Sequence, residues 1–282
     1  MNVNKGRHVR NITFYIFVSL LGFVMIYPIL WMAASSLKTE TEIFNNAMTL
    51  IPSELLWGNY LKGWEGFGGI GFGTFFKNSA IITIIVVIGS LITGSLVAYG
   101  FARLEFKYKG ILFAGLMATI MLPMQITLIP QYIMFHKIGW VNTFYPLIVP
   151  ALMGGQPFFI FLLIQFIKGI PRELDEAAIV DGCSRLGVFW RIILPLLKPA
   201  LVTVALFAFM WTWDDFLAPL IYLNNASLHT VTIALKNFMD VSGSTSWGPL
   251  LAMSTLSLVP QLIIFAIFQK YLVEGIATTG LK

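Results

Sequence analysis

The sequence predicts an all-α membrane protein that crosses a bilayer six times. Of its 282 residues, 57% are hydrophobic and only 11% are charged, a balance that a soluble domain could not hide from water. The apolar residues form six stretches with few or no charged side chains: roughly 12–36, 78–102, 111–136, 146–167, 199–222 and 248–269. Each reaches the ~20 residues that a helix needs to cross the hydrocarbon core. They are apolar on every face, which excludes the alternating strands of a membrane barrel.

The distribution of basic residues predicts the orientation. With the N-terminus inside, thirteen of the eighteen Lys and Arg residues fall in inner segments and five in outer ones. Because cations concentrate on the cytoplasmic side of membrane proteins, both termini and the segment 169–195 are expected in the cytoplasm. The cations are dispersed among short loops, which argues against a nucleic-acid-binding face. One cysteine, Cys183, is present, so no intrachain disulfide is possible.

The first apolar stretch follows Lys5, Arg7 and Arg10, an arrangement that is also typical of a signal peptide. Its length and the lack of a small-residue cleavage site favour an uncleaved helix. The outer segment that follows, about 37–76, contains a glycine-rich run at 66–73. Because no predicted strand precedes this run, we expect an irregular or re-entrant connection rather than a phosphate-binding loop.

The second stretch carries small residues at four-residue spacing, Ser90, Gly94 and Ala98, with Gly89 and Thr93 beside them. Small residues on one stripe let two helix backbones approach closely in lipid. Packing within the chain and an interface with another subunit both fit this stripe, and the former is favoured.

The third and fourth stretches contain helix-breaking residues. Pro123 and Pro130 each lack a backbone donor and are expected to kink the third helix. The carbonyls freed by a kink need polar partners, so Gln125 beside these prolines fits a pathway for a polar solute. A helix that is bent for structural reasons alone fits equally well. In the fourth stretch, Gln156 follows two glycines and precedes a phenylalanine-rich run.

The fifth stretch contains an acidic pair, Asp214 and Asp215, close to Trp211 and Trp213. Acids inside a membrane helix are costly and indicate a functional site by default. Neighbouring residues point about 100° apart around a helix, so at most one carboxylate of the pair is expected to face a solute path. A polar network that fixes neighbouring helices is the alternative.

The polar segment 169–195 is expected to form two short helices joined by a sharp turn. Pro171 fits the first turn of the first helix. Three acids follow near its positive end, where the helix dipole favours them: Glu173, Asp175 and Glu176. Gly182 supplies the permissive backbone that the turn requires. Small residues give this helix a thin side that could enter a cleft on another protein: Ala177 and Ala178.

The spacing of this segment resembles the cytoplasmic signature of permease subunits of bacterial ABC importers. The sequence reads Glu176-Ala177-Ala178, three residues, Gly182, nine residues, Ile192, one residue, Leu194-Pro195. Three further positions look like the sugar-importing, maltose-type branch of that family: Asp181, Phe189 and Pro199. The run 211–216, Trp-Thr-Trp-Asp-Asp-Phe, is also similar to a stretch of sugar permeases.

The resemblance implies a type I ABC importer permease fold and import of a sugar, an oligosaccharide or glycoside, across the bacterial cytoplasmic membrane. It implies that 169–195 docks in a groove of an ATP-hydrolysing subunit, with Glu176 in place of the anchoring acid. The implied partners are a second homologous permease, two ATP-binding subunits and an extracytoplasmic solute-binding protein. ATP and magnesium would be held by those partners, and this chain would bind no cofactor and be no enzyme.

The candidate residues fall into two groups. The residues expected to couple the chain to ATP hydrolysis are Glu176, Ala177, Ala178, Asp181, Gly182, Ile192, Leu194 and Pro195. Sugars are bound by aromatic faces and by amide or carboxylate groups. The chemistry of the side chains on the interrupted helices therefore gives five candidates for the solute pathway: Gln125, Gln156, Trp211, Trp213 and Asp214.

The sequence lacks the residue patterns of ATP-binding and metal-binding sites. No Gly-x-x-x-x-Gly-Lys-Ser/Thr run occurs, so the chain has no P-loop for ATP. His8, His136 and His229 are scattered without metal-ligand spacing. An ion-coupled solute carrier or a membrane-embedded enzyme is the alternative function. Such proteins need several buried ionisable groups, and only Asp214 and Asp215 qualify.

Overall fold

A computed structural model describes residues 3–154, 156–240 and 245–279, which leaves both chain ends, Gly155 and residues 241–244 outside the described residues. The described residues form α-helices and no β-strand, as predicted. The helices are α1 Val3–Ser35, α2 Glu40–Asn45, α3 Gly58–Glu65, α4 Phe72–Arg103, α5 Lys109–Met121, α6 Met124–Lys137, α7 Tyr145–Leu152, α8 Pro157–Gly169, α9 Glu173–Val180, α10 Arg185–Val188, α11 Leu194–Leu196, α12 Lys198–Trp213, α13 Leu217–Tyr222, α14 Val231–Asp240 and α15 Trp247–Thr279. A π-helix, Phe189–Ile193, joins α10 to α11, and a 3-10 turn spans Ala226–Leu228.

The chain forms two compact units, Met1–Phe72 with Leu235–Val259, and Gly73–Ala234 with Pro260–Lys282. A single domain over 1–282, with its core at about 77–271, stays a prediction.

Within the described residues, the six predicted spans correspond to four long apolar stretches and two bent helix pairs, which make six spans if each pair crosses once. The four stretches are Arg10–Ser35, Phe72–Arg103, Tyr145–Gly169 and Trp247–Lys270. The bent pairs are α5 with α6, at 104°, and Arg185–Leu196 with α12, at 74°. This count of six rests on length and composition, and it identifies a multi-pass membrane protein.

The third span is interrupted where the sequence predicts. Helix α5 ends at Met121 and α6 begins at Met124, because Pro123 lies between them in an extended conformation with φ −60° and ψ 133°. Pro130 lies inside α6 without ending it. The kink that Pro123 was expected to produce is therefore a full break.

The fourth span is also broken, which the predicted continuous stretch 146–167 did not anticipate. Helix α7 ends at Leu152 and α8 begins at Pro157. Gly154 between them has a left-handed φ of +79°, which only glycine adopts readily. Pro157 then begins α8 at a position where its missing N–H is not needed.

The fifth predicted helix, 199–222, is wrong in one respect, because it consists of two helices. Helix α12 ends at Trp213 and α13 begins at Leu217. The Oδ1 atom of Asp215 accepts a hydrogen bond of 3.3 Å from the amide of Ala218, so this carboxylate caps the first turn of α13. The acidic pair thus lies in the break between two helices, not inside one.

The core of the second unit surrounds α8. Leu163, Ile164 and Ile167 are completely buried there, against small residues of α4 and α12 such as Ala98 and Ala200. Small side chains let the helices approach closely, and van der Waals packing then stabilises them in lipid.

The small-residue stripe of α4 packs within the chain. A Cβ atom on Gly94 would lie 3.6 Å from Leu163, and one on Gly89 would lie 2.7 Å from Leu152. Ala98 belongs to the same buried core. The favoured interpretation of the stripe, packing within the chain, is therefore confirmed.

The outer segment belongs to the first unit and is held by polar contacts. Lys38 is 1% exposed, and its Nζ donates to the backbone oxygen of Thr49. The Glu42 carboxylate accepts hydrogen bonds of 2.9 Å and 3.0 Å from the amide and hydroxyl of Ser53. The glycine-rich run forms an irregular turn, with one isolated bridge between Phe67 and Ile70. This confirms the predicted irregular connection.

Candidate functional site

The segment 169–195 forms two short helices, α9 and α10, as predicted. Glu173, Asp175 and Glu176 lie in the first turn of α9, where the unpaired amides and the helix dipole favour negative charge. Of these acids, Glu173 and Glu176 are exposed. Asp175 is turned inward and has a different role.

Asp175 forms a shielded ion pair with the end of α4. Its Oδ2 lies 2.7 Å from Nε of Arg103, and the two side chains are 13% and 5% exposed. A terminal nitrogen of Arg103 also donates a hydrogen bond of 2.7 Å to the backbone oxygen of Ile170. Burial raises the pKa of the Asp175 carboxyl above its ordinary value, and the Arg103 charge opposes that rise. Arg103 therefore ties both the start of the segment and α9 to the membrane helix.

Gly182 makes the turn after α9. Its φ is +81°, and a Cβ atom there would meet no atom within 4 Å. The Gly182 amide donates to the Ile179 oxygen at 3.0 Å, and the Cys183 amide donates to the Ala178 oxygen at 2.9 Å. These two bonds are the Schellman motif, which satisfies the last carbonyls of a helix. Glycine is needed here for its backbone conformation, because the space around it is open.

The second short helix is fastened to the same membrane helix. Ser184 caps α10 by accepting a hydrogen bond of 3.1 Å from the amide of Gly187. The Tyr99 hydroxyl donates to the backbone oxygen of Arg185 at 2.8 Å, and its ring lies 5.2 Å from that of Phe189. Phe189 is 1% exposed. The aromatic residue after the turn thus packs onto the membrane part.

The predicted coupling residues divide between a free surface and the core. Four exposed ones lie together, on α9 and the turn after it: Glu176, Ala177, Asp181 and Gly182. Apolar side chains surround this acidic group, with Ile179 52%, Val180 86% and Leu186 63% exposed. We call these seven residues the loop surface. An exposed carboxylate among exposed apolar side chains is suited to contact with another protein.

Three of the remaining four coupling residues lie on the inner side of the segment. Ala178 and Leu194 pack against the buried core, and Ile192 is half-buried. Pro195 is exposed. Ala178 is therefore not on the thin outer side that Ala177 provides, because helical geometry places neighbouring residues about 100° apart.

Two of the predicted pathway residues have clear positions beside the break after α12. Trp211 is 51% exposed and stacks on Phe159, with ring centroids 5.1 Å apart and planes at 18°. Asp214 is exposed and accepts a hydrogen bond of 2.5 Å from the amide of Gln261. An accessible indole face and a carboxylate three residues away are groups that bind sugars.

The other three pathway candidates differ in accessibility. Trp213 is 5% exposed and stacks on Phe209. Gln156 is half-buried, and its Oε1 accepts a hydrogen bond of 3.0 Å from the Ser90 hydroxyl. Gln125 is exposed in the first turn of α6. The structure gives no contact that joins Gln125 to the other four residues.

The two residues of the acidic pair, Asp214 and Asp215, have different partners. Asp215 caps α13 with its carboxylate, and its backbone oxygen accepts a hydrogen bond of 2.8 Å from the Thr232 hydroxyl. Asp214 is the accessible member. The structural network predicted for the pair is observed for both residues, through the cap of α13 for Asp215 and through Gln261 for Asp214, and contact between Asp214 and solute stays a prediction.

Sequence reasoning missed two residues. Gln261 follows Pro260 in a long apolar helix, and a lone amide in that setting was an available signal. Arg103 was used only as one cation among many, although an arginine at the end of a membrane helix often has a specific partner. No cluster of metal-ligating side chains occurs in the part of the chain that the structure describes.

Comparison with known proteins gives consistent matches over most of the chain. A family model described as "Binding-protein-dependent transport system inner membrane component" matches residues 90–278. The chain is 35% identical to the probable ABC transporter permease protein YurM of Bacillus subtilis, over 95% of this chain and 87% of that one. It is 33% identical to the arabinooligosaccharides transport system permease protein AraQ of Halalkalibacterium halodurans, over 94% of both chains.

Two further comparisons extend these matches. The trehalose/maltose transport system permease protein MalG of Thermococcus litoralis is 31% identical, over 93% of this chain and 94% of that one. A chain of a bacterial ABC transporter involved in the import of the acidic polysaccharide alginate superposes with a TM-score of 0.83. The superposition covers 94% of this chain and 97% of that chain at 19% identity, so it supports the fold alone.

Proposed function

The chain belongs to the family of binding-protein-dependent transport system inner membrane components, and we propose that its substrate is an oligosaccharide or a glycoside. It is a permease subunit of an ABC importer and not an enzyme. The relatives AraQ and MalG are named for arabinooligosaccharides and for trehalose and maltose, which supports the substrate class. Family membership favours this function over a self-sufficient ion-coupled carrier.

The architecture of the segment 169–195 carries the proposal. The loop surface presents Glu176 among exposed apolar side chains, while Arg103 and Tyr99 fasten the two short helices to α4. A fixed and exposed surface of this kind can receive a displacement from a partner and pass it to the membrane helices. We infer that the partner is an ATP-binding subunit.

The complete importer contains three further kinds of subunit. These are a second homologous permease, two ATP-binding subunits that hold ATP and magnesium, and an extracytoplasmic solute-binding protein. The permease sequence has no P-loop of its own, so ATP hydrolysis must come from a partner. Closure of the two ATP-binding subunits would displace the loop surface and reorient the helices that carry the solute.

Co-purification tests the docking surface. Glu176→Ala should lower the amount of ATP-binding subunit that co-purifies with a tagged permease by about tenfold, because a charged anchor at an interface is lost. Glu173→Ala is a matched control, since Glu173 is also exposed in the first turn of α9. Equal retention in the two variants would contradict the proposed anchor.

The orientation places both termini and the loop surface in the cytoplasm of the bacterial cell, on the evidence of the basic residues. The natural Cys183 is a poor probe because it is half-buried. Single cysteines in a Cys183→Ser background are better, at Met48, which is 90% exposed, and at Val180, which is 86% exposed. An impermeant maleimide should label Met48→Cys in intact cells and Val180→Cys only after permeabilisation. The opposite pattern would reverse the orientation.

The solute pathway includes Trp211 and Asp214, with Gln261 as an added member. Asp214→Asn should raise the KM for sugar uptake by about tenfold, because a charged hydrogen-bond acceptor for hydroxyl groups is lost. Trp211→Ala should also raise KM through loss of the stacking face. Thr203→Val is a suitable control on the same helix, since its hydroxyl bonds the Pro199 oxygen within α12.

Unchanged KM in both pathway variants would assign sugar selectivity to the second permease. The other candidates, Gln125, Gln156 and Trp213, remain proposals for the same pathway, and the half-buried Gln156 and buried Trp213 would act on the shape of the path.

A further inference from the structure

A cavity of about 410 Å³ lies in the second unit, beside the coupling segment and apart from the solute pathway. Its lining comes from the last residues of α4, the first half of α5, the end of α8 and the connection to α9. The lining residues are Phe101, Ala102, Glu105, Lys109, Gly110, Phe113, Ile164, Lys168 and Arg172. Because α4, α5 and α8 belong to three different membrane spans, the cavity lies where these spans end.

Two cations in this cavity lie outside its ion pair, although the charge of one, Arg172, also acts on two nearby carboxylates. Lys109 lies 2.9 Å from the Glu105 carboxylate, so these charges offset each other. Among the residues that the structure describes, neither Lys168 nor Arg172 forms an ion pair. Both are exposed, and Lys168 Nζ is held 5.6 Å from the centre of the Phe113 ring. The cavity therefore has a net charge of about +2, positioned in part by a cation–π contact.

The rest of the lining is apolar. Phe101, Phe113 and Ile164 form a wall below the cations, and Ile164 is completely buried. The face of α5 that carries Phe113 continues with Met117 and Ile120, four and seven residues further on, and Ile120 is 39% exposed. A ligand that fits this arrangement has an anionic head for the cations and an apolar body that can lie along α5.

We propose that this cavity binds the headgroup of an anionic phospholipid from the leaflet that faces the coupling segment. The phosphate lies between Lys168 and Arg172, and the acyl chains pass along the exposed face of α5. Basic pockets between membrane helices on the cytoplasmic side favour anionic lipids. The lipid bilayer supplies this ligand at high local concentration, which a free anion of the cytoplasm does not have.

Occupancy of the site affects coupling because of the position of Arg172. This residue is the N-cap of α9, the helix that presents the loop surface. A phosphate bound between Arg172 and Lys168 would link the start of α9 to the end of α8. Sugar should therefore stimulate ATP hydrolysis by the importer more strongly in bilayers that contain anionic lipid than in bilayers that lack it.

The experiment uses the whole importer in nanodiscs of phosphatidylcholine with or without phosphatidylglycerol. Retained phosphatidylglycerol is measured by native mass spectrometry after exchange into detergent. Each cation near a membrane surface contributes about fivefold to affinity. Lys168→Gln/Arg172→Gln should thus retain about 25-fold less phosphatidylglycerol than the unmodified importer. Lys107→Gln is the matched control, because Lys107 is an exposed cation in the loop between α4 and α5 that does not line the cavity.

A second variant leaves the charges in place. A Cβ atom at Gly110, which lines the cavity, would meet no atom within 4 Å, so Gly110→Leu should fill part of the cavity without disturbing the backbone. It should lower retention by at least fivefold while Lys168 and Arg172 remain. Free glycerol phosphate at millimolar concentration should not displace the lipid.

Three outcomes would overturn the proposal. One is equal retention of phosphatidylcholine and phosphatidylglycerol by the unmodified importer. Another is a loss in Lys107→Gln as large as in the double variant. The last is displacement by glycerol phosphate, which would show that the cavity takes a free anion instead of a lipid. Sugar uptake does not enter these readouts, so they stand apart from the proposed substrate.

Discussion

The ion pair between Arg103 and Asp175 should decide how firmly the coupling segment is held. Arg103→Met removes the guanidinium but keeps an unbranched side chain of similar length. The Asp175 carboxylate, 13% exposed, then loses its partner at 2.7 Å, and the Ile170 oxygen loses its hydrogen bond. Both groups lie on the segment that carries the loop surface, so the change loosens that segment from α4.

The size of the effect follows from the burial of the pair. Removing one partner of a buried ion pair costs about 3–5 kcal/mol, because the other charge is left uncompensated. The lower value, about 3 kcal/mol, applies here, since burial already raises the pKa of Asp175 and a lone carboxyl can take up a proton. A loss of about 3 kcal/mol increases the open population of the segment by about two orders of magnitude.

Limited trypsin digestion of the detergent-solubilised permease measures this opening. Cleavage after the exposed Arg172 and Arg185 should accelerate by about 100-fold in Arg103→Met, because slow proteolysis reports the open population. Glu105→Gln is the control. It breaks the exposed pair with Lys109, whose loss should change the rate by less than about threefold.

A double variant separates charge from shape. Arg103→Met/Asp175→Leu leaves no unpaired charge, so its cleavage rate should return most of the way to that of the unmodified chain. Cleavage of Arg103→Met at the original rate would refute the reasoning. So would a double variant that is cleaved faster than the single one.

Three further predictions concern backbone, packing and burial. Gly182 has a left-handed φ and open space around it, so Gly182→Asn should keep most sugar uptake and Gly182→Val should lose most of it. Equal uptake in the two variants would contradict the argument from φ. Gly89→Leu should overpack α4 against Leu152 and destabilise the permease by about 1–3 kcal/mol in thermal unfolding, whereas Gly22→Leu, in open space, should not. Lys38→Met removes the hydrogen bond to the Thr49 oxygen and leaves that oxygen beside an apolar side chain, which should destabilise the outer segment by about 1–3 kcal/mol and lower its unfolding midpoint. An unchanged midpoint would show that the contact is not stabilising.

The sequence predicts the spans well because a bilayer imposes one requirement, a long apolar run, that composition reports directly. The breaks within spans were harder. Pro123 predicts one break, because proline lacks a backbone N–H donor. Two other breaks, at Gly154 and at Asp215, are not visible in the periodicity of the apolar residues. A helix that is apolar on all sides has no face pattern, so its interruption depends on tertiary contacts that only the structure supplies.

The same limit explains what was missed in the site. Gly182 is identifiable because its role is local, a left-handed turn between neighbouring helices. The sequence alone explains Arg103 as a cation at the end of a membrane span, and Asp175 as an acid at the start of a helix. Their pairing across the sequence is a property of the packed helices.

The π-helix Phe189–Ile193 sets the rotational phase between the coupling segment and α12. Backbone hydrogen bonding continues across it, from the Val188 amide to Ser184, from Leu194 to Phe189, and from Leu197 to Ile193. The connection is thus bent but continuous, and adding or removing one residue rotates the following α-helix by about 100°. Removing one residue from the π-helix would turn the inward face of α12 toward a different neighbour, even with every side chain of the loop surface intact. The number of residues in this short stretch therefore sets which face of α12 points inward.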